Sequence, residues 1–211
     1  MNKSDLKILI ISIFIIWLFQ ISGALGIILG NDKWFIRFTP VCLFVYFILI
    51  ILNNRPFNYN FLFISYFLGF ICELIGVNTG ILFGDYTYGD TLGIQLFNIP
   101  LIIGINWFVT VIISASIADK FAKKIYFKMI ISLLLIMFLD ISMEPIAPKM
   151  DMWRFTGYDS APLSNYVTWI FISLPLLIFY FKNNINVNFY LCVNLYTAQI
   201  LFFIVLELFY L

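Results

Sequence analysis

The sequence predicts an all-α protein, a polytopic helix bundle set in a membrane, and three observations predict it. Of 211 residues, 63% are hydrophobic and only 11% are charged, where a soluble domain carries about a quarter charged residues. The apolar residues gather into seven runs, each near the ~20 residues a helix needs to cross ~30 Å of hydrocarbon. What is left suits short loops, so residues 1–211 read as a single integral membrane domain. A net charge of +1 argues against nucleic acid and against adsorption to an anionic surface.

The first run, residues 6–29, follows Lys3 and Lys7. Ser22-Gly23-Ala24 has the small-x-small form of a signal cleavage site, but the apolar stretch continues to Leu29, so the segment reads as a retained helix. The remaining runs are 34–52, 61–77, 99–118, 125–143, 163–181 and 187–211. Lysine and arginine collect on the cytoplasmic side of short loops. A cytoplasmic N-terminus puts eight of them inside (Lys3, Lys7, Arg55, Lys120, Lys123, Lys124, Lys128 and Lys182) and four outside (Lys33, Arg37, Lys149 and Arg154).

The absence of histidine removes the commonest metal ligand and base. Cys42, Cys72 and Cys192 stand singly in apolar runs and read as small hydrophobes, with no disulfide expected. Acid and base chemistry is left to carboxylates and tyrosines. Two connections, 78–98 and 144–162, are longer than tight turns; both fall on the expected outer side and are rich in Gly, Tyr, Trp and Asp. They read as ordered lids.

The acids are one-sided in this topology. Asp5 and Asp119 are inside, whereas Asp32, Glu73, Asp85, Asp90, Asp140, Glu144, Asp151, Asp159 and Glu207 lie in the outer half. Solvation accounts for Asp32, Asp90, Asp151 and Asp159. It does not account for Glu73 and Asp140, which sit within apolar helices where an ionised carboxylate costs about 3 kcal/mol. Asp140 and Glu144, four apart, share a helix face before Pro145 ends the helix. Each of the three either fixes a loop or helix crossing or belongs to a site, and the site is the reading preferred. Asp85, between the turn-permitting Gly80 and Gly84 and the tyrosines, reads equally as a solvated or a functional residue. Glu207 reads as a snorkelling terminal carboxylate. Tyr86, Tyr88, Trp107, Trp153 and Trp169 form either an interfacial belt or a pocket whose rings tolerate positive charge in an apolar ligand.

The run Glu73-Leu-Ile-Gly76-Val77-Asn-Thr79-Gly80-Ile-Leu-Phe83-Gly84-Asp-Tyr86-Thr-Tyr88, with Leu92-Gly93, Pro100 and Trp107 beyond it, resembles the signature of membrane carotenoid biosynthesis proteins. These are the CruF-type carotenoid hydratases and the bisanhydrobacterioruberin hydratases. A second block, Asp140-Ile-Ser-Met-Glu144-Pro145-Ile-Ala147 with Trp153, Pro162, Asn165 and Trp169, is similar to the family's later motif. The chain departs from the pattern at Phe155, where the family usually has a second tryptophan, at Glu144, often an aspartate, and at Ser160-Ala161-Pro162, in place of Gly-Val-Pro.

The resemblance implies hydration of the terminal double bond of an acyclic carotenoid end to a tertiary alcohol, with no cofactor. It implies Asp140, Glu73 and Glu144 as catalytic groups and Tyr86, Tyr88, Trp107, Trp153, Asn165 and Asp85 as substrate-binding groups. Partners are then a membrane-dissolved carotenoid, the lipid bilayer and other carotenoid enzymes, in a multi-pass protein of the cell membrane, the inner membrane of a bacterium. A carboxyl in a dry site keeps its proton while one in a wetter site ionises. Asp140, a turn deeper than Glu144, is the expected general acid, and Glu73 or Glu144 the group that directs water.

The nearest rival is a carotenoid end-group cyclase or isomerase forming the same cation. A transporter would place its acids near the midplane, a retinal photoreceptor would need a lysine within 187–211, and a prenyltransferase would need denser aspartates for magnesium diphosphate. With the N-terminus inside, a reporter fused after Leu211 is expected to be active on the outer side; cytoplasmic activity would overturn the topology.

Overall fold

The computed structural model describes residues 3–157 and 160–210, and among these the chain is helical apart from four short strands. Asp159 and Leu211, the sites of an expected outer-loop acid and the expected outer terminus, lie outside the described residues. Helix α1 (Lys3–Gly26) passes through a π turn at Ile27–Asn31 into the short α2 (Asp32–Ile36), where Gly30 adopts φ 89° and bends the chain. The second crossing, expected from residue 34, starts later: Trp34 belongs to α2, and α3 is the 15-residue helix Thr39–Asn53. Pro40, in its first turn, has no N–H to lose and a preset φ, which fixes the start there.

Helix α4 (Tyr59–Thr79) opens on Asn58, whose side chain accepts the Phe61 N–H at 2.9 Å, and closes on Gly80 at φ 66°, whose N–H reaches the Gly76 carbonyl at 2.8 Å. Helices α5 (Ile102–Phe121), α6 (Ile125–Met143), α7 (Leu163–Lys182) and α8 (Phe189–Phe209) complete the bundle. The fourth run, expected from residue 99, begins instead with the strand β3 (Ile99–Pro100), which forms a hairpin with β2 (Gln95–Leu96) before α5 starts. Six of the helical segments are long and apolar enough to cross a membrane, with α3 the shorter seventh. The protein is a multi-pass helical membrane bundle.

Helix α5 is its centre, with 78% of its span buried against 28% for α4 and α6, and it touches α3, α4, α6, α7 and α8. Its sequence explains this: it is apolar all round, and Gly104, Ser114, Ala115, Ser116 and Ala118 let neighbouring helices approach. Gly69 makes the matching gap on α4, where an added Cβ would sit 2.4 Å from Trp107 Cγ.

The long connections leave from the same end of the bundle and pair with each other. Strand β1 (Tyr86–Tyr88) runs antiparallel to β4 (Trp153–Phe155), with Tyr86 opposite Phe155 and Tyr88 opposite Trp153. The Thr156 N–H donates to the Asp85 carbonyl at 2.8 Å, the Gly89 N–H to the Met152 carbonyl at 3.0 Å, and the Asp90 N–H to the Asp151 carboxylate at 3.0 Å. Side chains alternate across a strand. Thr87 and Arg154 are therefore exposed, while Tyr86, Tyr88, Trp153 and Phe155 turn toward the bundle.

Gly69→Ala weighs two effects. Helix propensity favours alanine by about 1 kcal/mol, but overpacking a rigid neighbour costs about 1–3 kcal/mol, and Trp107 is fully buried and stacked on Trp169. Overpacking wins. The thermal midpoint of the purified variant is expected to fall, and an unchanged or higher midpoint would contradict the close α4–α5 contact.

Candidate active site

Helices α4, α5, α6 and α7 and the paired loops enclose one pocket, and Glu73, Asp140 and Glu144 all line it. Glu73 reaches it from the last turns of α4, 5% exposed. Three donors converge on its carboxylate. The Tyr86 hydroxyl and the Tyr88 hydroxyl, the latter at 2.8 Å, donate to Oε2, and Trp107 Nε1–H donates to Oε1 at 3.0 Å. The tyrosines arrive there because β1 places residues 86 and 88 on one face, and because Gly76, one turn after Glu73, leaves room: a Cβ there would lie 2.8 Å from Phe83 and 3.1 Å from the Tyr86 hydroxyl. Burial and the neighbouring Glu73 carboxylate push both tyrosine hydroxyls well above their usual range, so both remain protonated donors.

Asp140 and Glu144 form the second cluster. Asp140 is 1% exposed near the end of α6. Asn165, from the first turn of α7, donates through Nδ2 to Asp140 Oδ2 at 3.1 Å and to Glu144 Oε1 at 3.4 Å, so one amide bridges both acids. Trp153 Nε1–H donates to Glu144 Oε2 at 3.4 Å. Glu144 lies just past the end of α6, half-buried, and burial pushes its carboxyl up to about 7. Trp107 and Trp169 stack at 3.9 Å between ring centres and form an aromatic wall together with Phe83 and Phe155.

Of the residues singled out in the sequence, the structure brings Glu73, Asp140, Glu144, Tyr86, Tyr88, Trp107, Trp153 and Asn165 to this pocket, and leaves Asp85 out of its lining. The Asp85 side chain is exposed and its main-chain carbonyl ties the two loops. Alternation explains it: Asp85 immediately precedes the inward-facing Tyr86. Glu207 is exposed on α8, away from the pocket. The lining also contains Asn106, Phe83, Phe155 and Trp169. Asn106 carried a signal that was passed over, a polar side chain in an apolar helix beside Trp107. Its amide has no hydrogen-bond partner among the described residues. The free interior is about 30 Å³, room for a water or two.

The sequence model of the carotenoid biosynthesis protein family matches residues 34–210. The chain therefore belongs to the carotenoid biosynthesis protein family, and its role lies in carotenoid biosynthesis. No curated protein matches the chain, and no solved structure does.

Tyr86→Phe removes one donor from a buried carboxylate and little else. A buried hydrogen bond is worth about 0.5–3 kcal/mol, the upper end applying where one partner is charged, so unfolding of the variant is expected to need correspondingly less denaturant. Wild-type stability would show that the Tyr86 bond to Glu73 carries no weight.

Proposed function

We propose that this protein hydrates the terminal double bond of an acyclic carotenoid end group, giving a tertiary alcohol. The observation that carries the reading is the Asn165 bridge between Asp140 and Glu144, which sets two acids of different depth against one aromatic pocket. Asp140 donates its proton to the less substituted alkene carbon, and the π electrons form the new C–H bond. The positive charge left on the tertiary carbon faces the rings of Trp107 and Trp169, whose quadrupoles stabilise a cation. Water bonds to that carbon and gives up a proton to the Glu144 carboxylate. Proton return from Glu144 to Asp140, both bonded to the Asn165 amide, restores the starting state, so atoms and charge balance without a cofactor.

Glu73 has a different part. Its three donors hold it in place and satisfy it as a carboxylate, which suits a fixed negative charge that favours the cation. In this reading Asn106, whose amide is unpartnered in the pocket lining, holds the attacking water. The polar side chains of Asn106, Asn165 and Glu144 in the lining support capture of the cation by water over the cyclase alternative. Phe155, the departure from the family's tryptophan, lies in the pocket wall and bears on which end group fits.

In a host producing an acyclic carotenoid, Asp140→Asn is expected to accumulate normally in the membrane but to lower hydrated product about 100-fold or more, the usual scale for a general acid. Near-wild-type hydration would move the acid elsewhere, Glu73 first. Glu144→Gln is expected to impair hydration while releasing some cyclised or isomerised product.

A pH profile tests the base. Glu144 accepts a proton only when ionised, so with its carboxyl pushed up to about 7, hydration by reconstituted protein is expected to fall as pH drops through about 7 and to level off above it. A profile falling with rising pH would exchange the acid and base roles.

A further inference from the structure

A second cavity lies in the same half of the bundle, between α1, α3 and α8. Met150 and Met152 line it, whereas Trp153 and Phe155, directly after them, line the carboxylate pocket, so one stretch of chain divides two chambers. The open interior of the second is about 70 Å³. Three polar side chains line it with no hydrogen-bond partner among the described residues: Gln20, Tyr46 and Gln199. Tyr46 is 2% exposed and Gln199 is 6% exposed, with the Gln199 amide oxygen sealed from solvent and unpaired. Groups left unpaired in a cavity of this size bond to whatever fills it, whether water or the polar end of a larger molecule.

The lining also says what fills it. No charged side chain is among the described lining residues, so the occupant is neutral. Two amides and a phenol offer both donors and acceptors, which matches a hydroxyl, a group that does both. Phe19, Phe35 and Phe202 supply an apolar surround for a hydrocarbon chain. We propose that this cavity binds a neutral lipid-like alcohol, a long apolar chain ending in a hydroxyl, with Gln199 and Tyr46 holding the hydroxyl. The site is separate from the carboxylate pocket and does not depend on the reaction assigned there.

Binding of radiolabelled phytol to the full chain in lipid nanodiscs tests the proposal, with phytane, which lacks the hydroxyl, as competitor. Saturable phytol binding that phytane displaces poorly is expected. Gln199→Leu and Tyr46→Phe are each expected to weaken it about 3- to 10-fold, the scale of one buried neutral hydrogen bond. Absence of saturable binding, equal competition by phytane, or unchanged affinity in both variants would overturn it. The phytol and phytane comparison is made on the wild-type chain, so the outcome stands even where a variant folds poorly.

Discussion

A carboxylate carried into an apolar bundle must find its hydrogen-bond donors inside the protein, and that constraint organises this end of the structure. Glu73 cannot be satisfied by its own helix, because the α4 carbonyls are acceptors and its amides are already bonded. Its donors come from two other places, the α5 indole of Trp107 and the β1 tyrosines. Bringing Trp107 against α4 requires Gly69, and bringing Tyr86 down requires Gly76. The β1–β4 pairing then holds the tyrosines in register and sets Trp153 over Glu144. Loop order, helix spacing and small residues thus serve one need, that the hydrogen bonds of a buried acid be met.

The two carboxylate clusters are held in different ways. Glu73 takes donors from hydroxyls and an indole that stay protonated, and has little freedom. Asp140 and Glu144 share a single amide, which can bond either acid in either protonation state. An acid held by three donors and a pair of acids sharing one amide thereby stand in one chamber, and the proposed hydration draws on that contrast between neighbours.

Most of the bundle was legible because hydropathy over ~20 residues is dictated by the thickness of hydrocarbon. Ile125–Met143 is bounded as the pattern indicates, by lysines before and Glu144-Pro145 after. Boundaries failed where apolar residues do something other than cross: Trp34 and Phe35 continue the first helix past a bend, and Ile99 pairs in a hairpin. Glu73 and Asp140 were legible as site candidates because ionisable groups in apolar helices are costly. The outward side chain of Asp85 and the place of Asn106 in the pocket were not legible, for a shared reason. Which way a side chain faces depends on strand pairing and helix rotation, and neither is written in composition; a single residue separates Asp85 outside from Tyr86 inside.

The shortness of α3 has a consequence for the membrane itself. Fifteen residues rise about 22 Å, well under the ~30 Å of a typical hydrocarbon layer. Beside it runs the longest helical segment, the 34 residues of Lys3–Ile36. Hydrophobic mismatch of this kind is relieved by thinning the bilayer locally, at fractions of a kcal/mol per Å. A membrane of shorter acyl chains is accordingly expected to accommodate α3 with less distortion than one of longer chains.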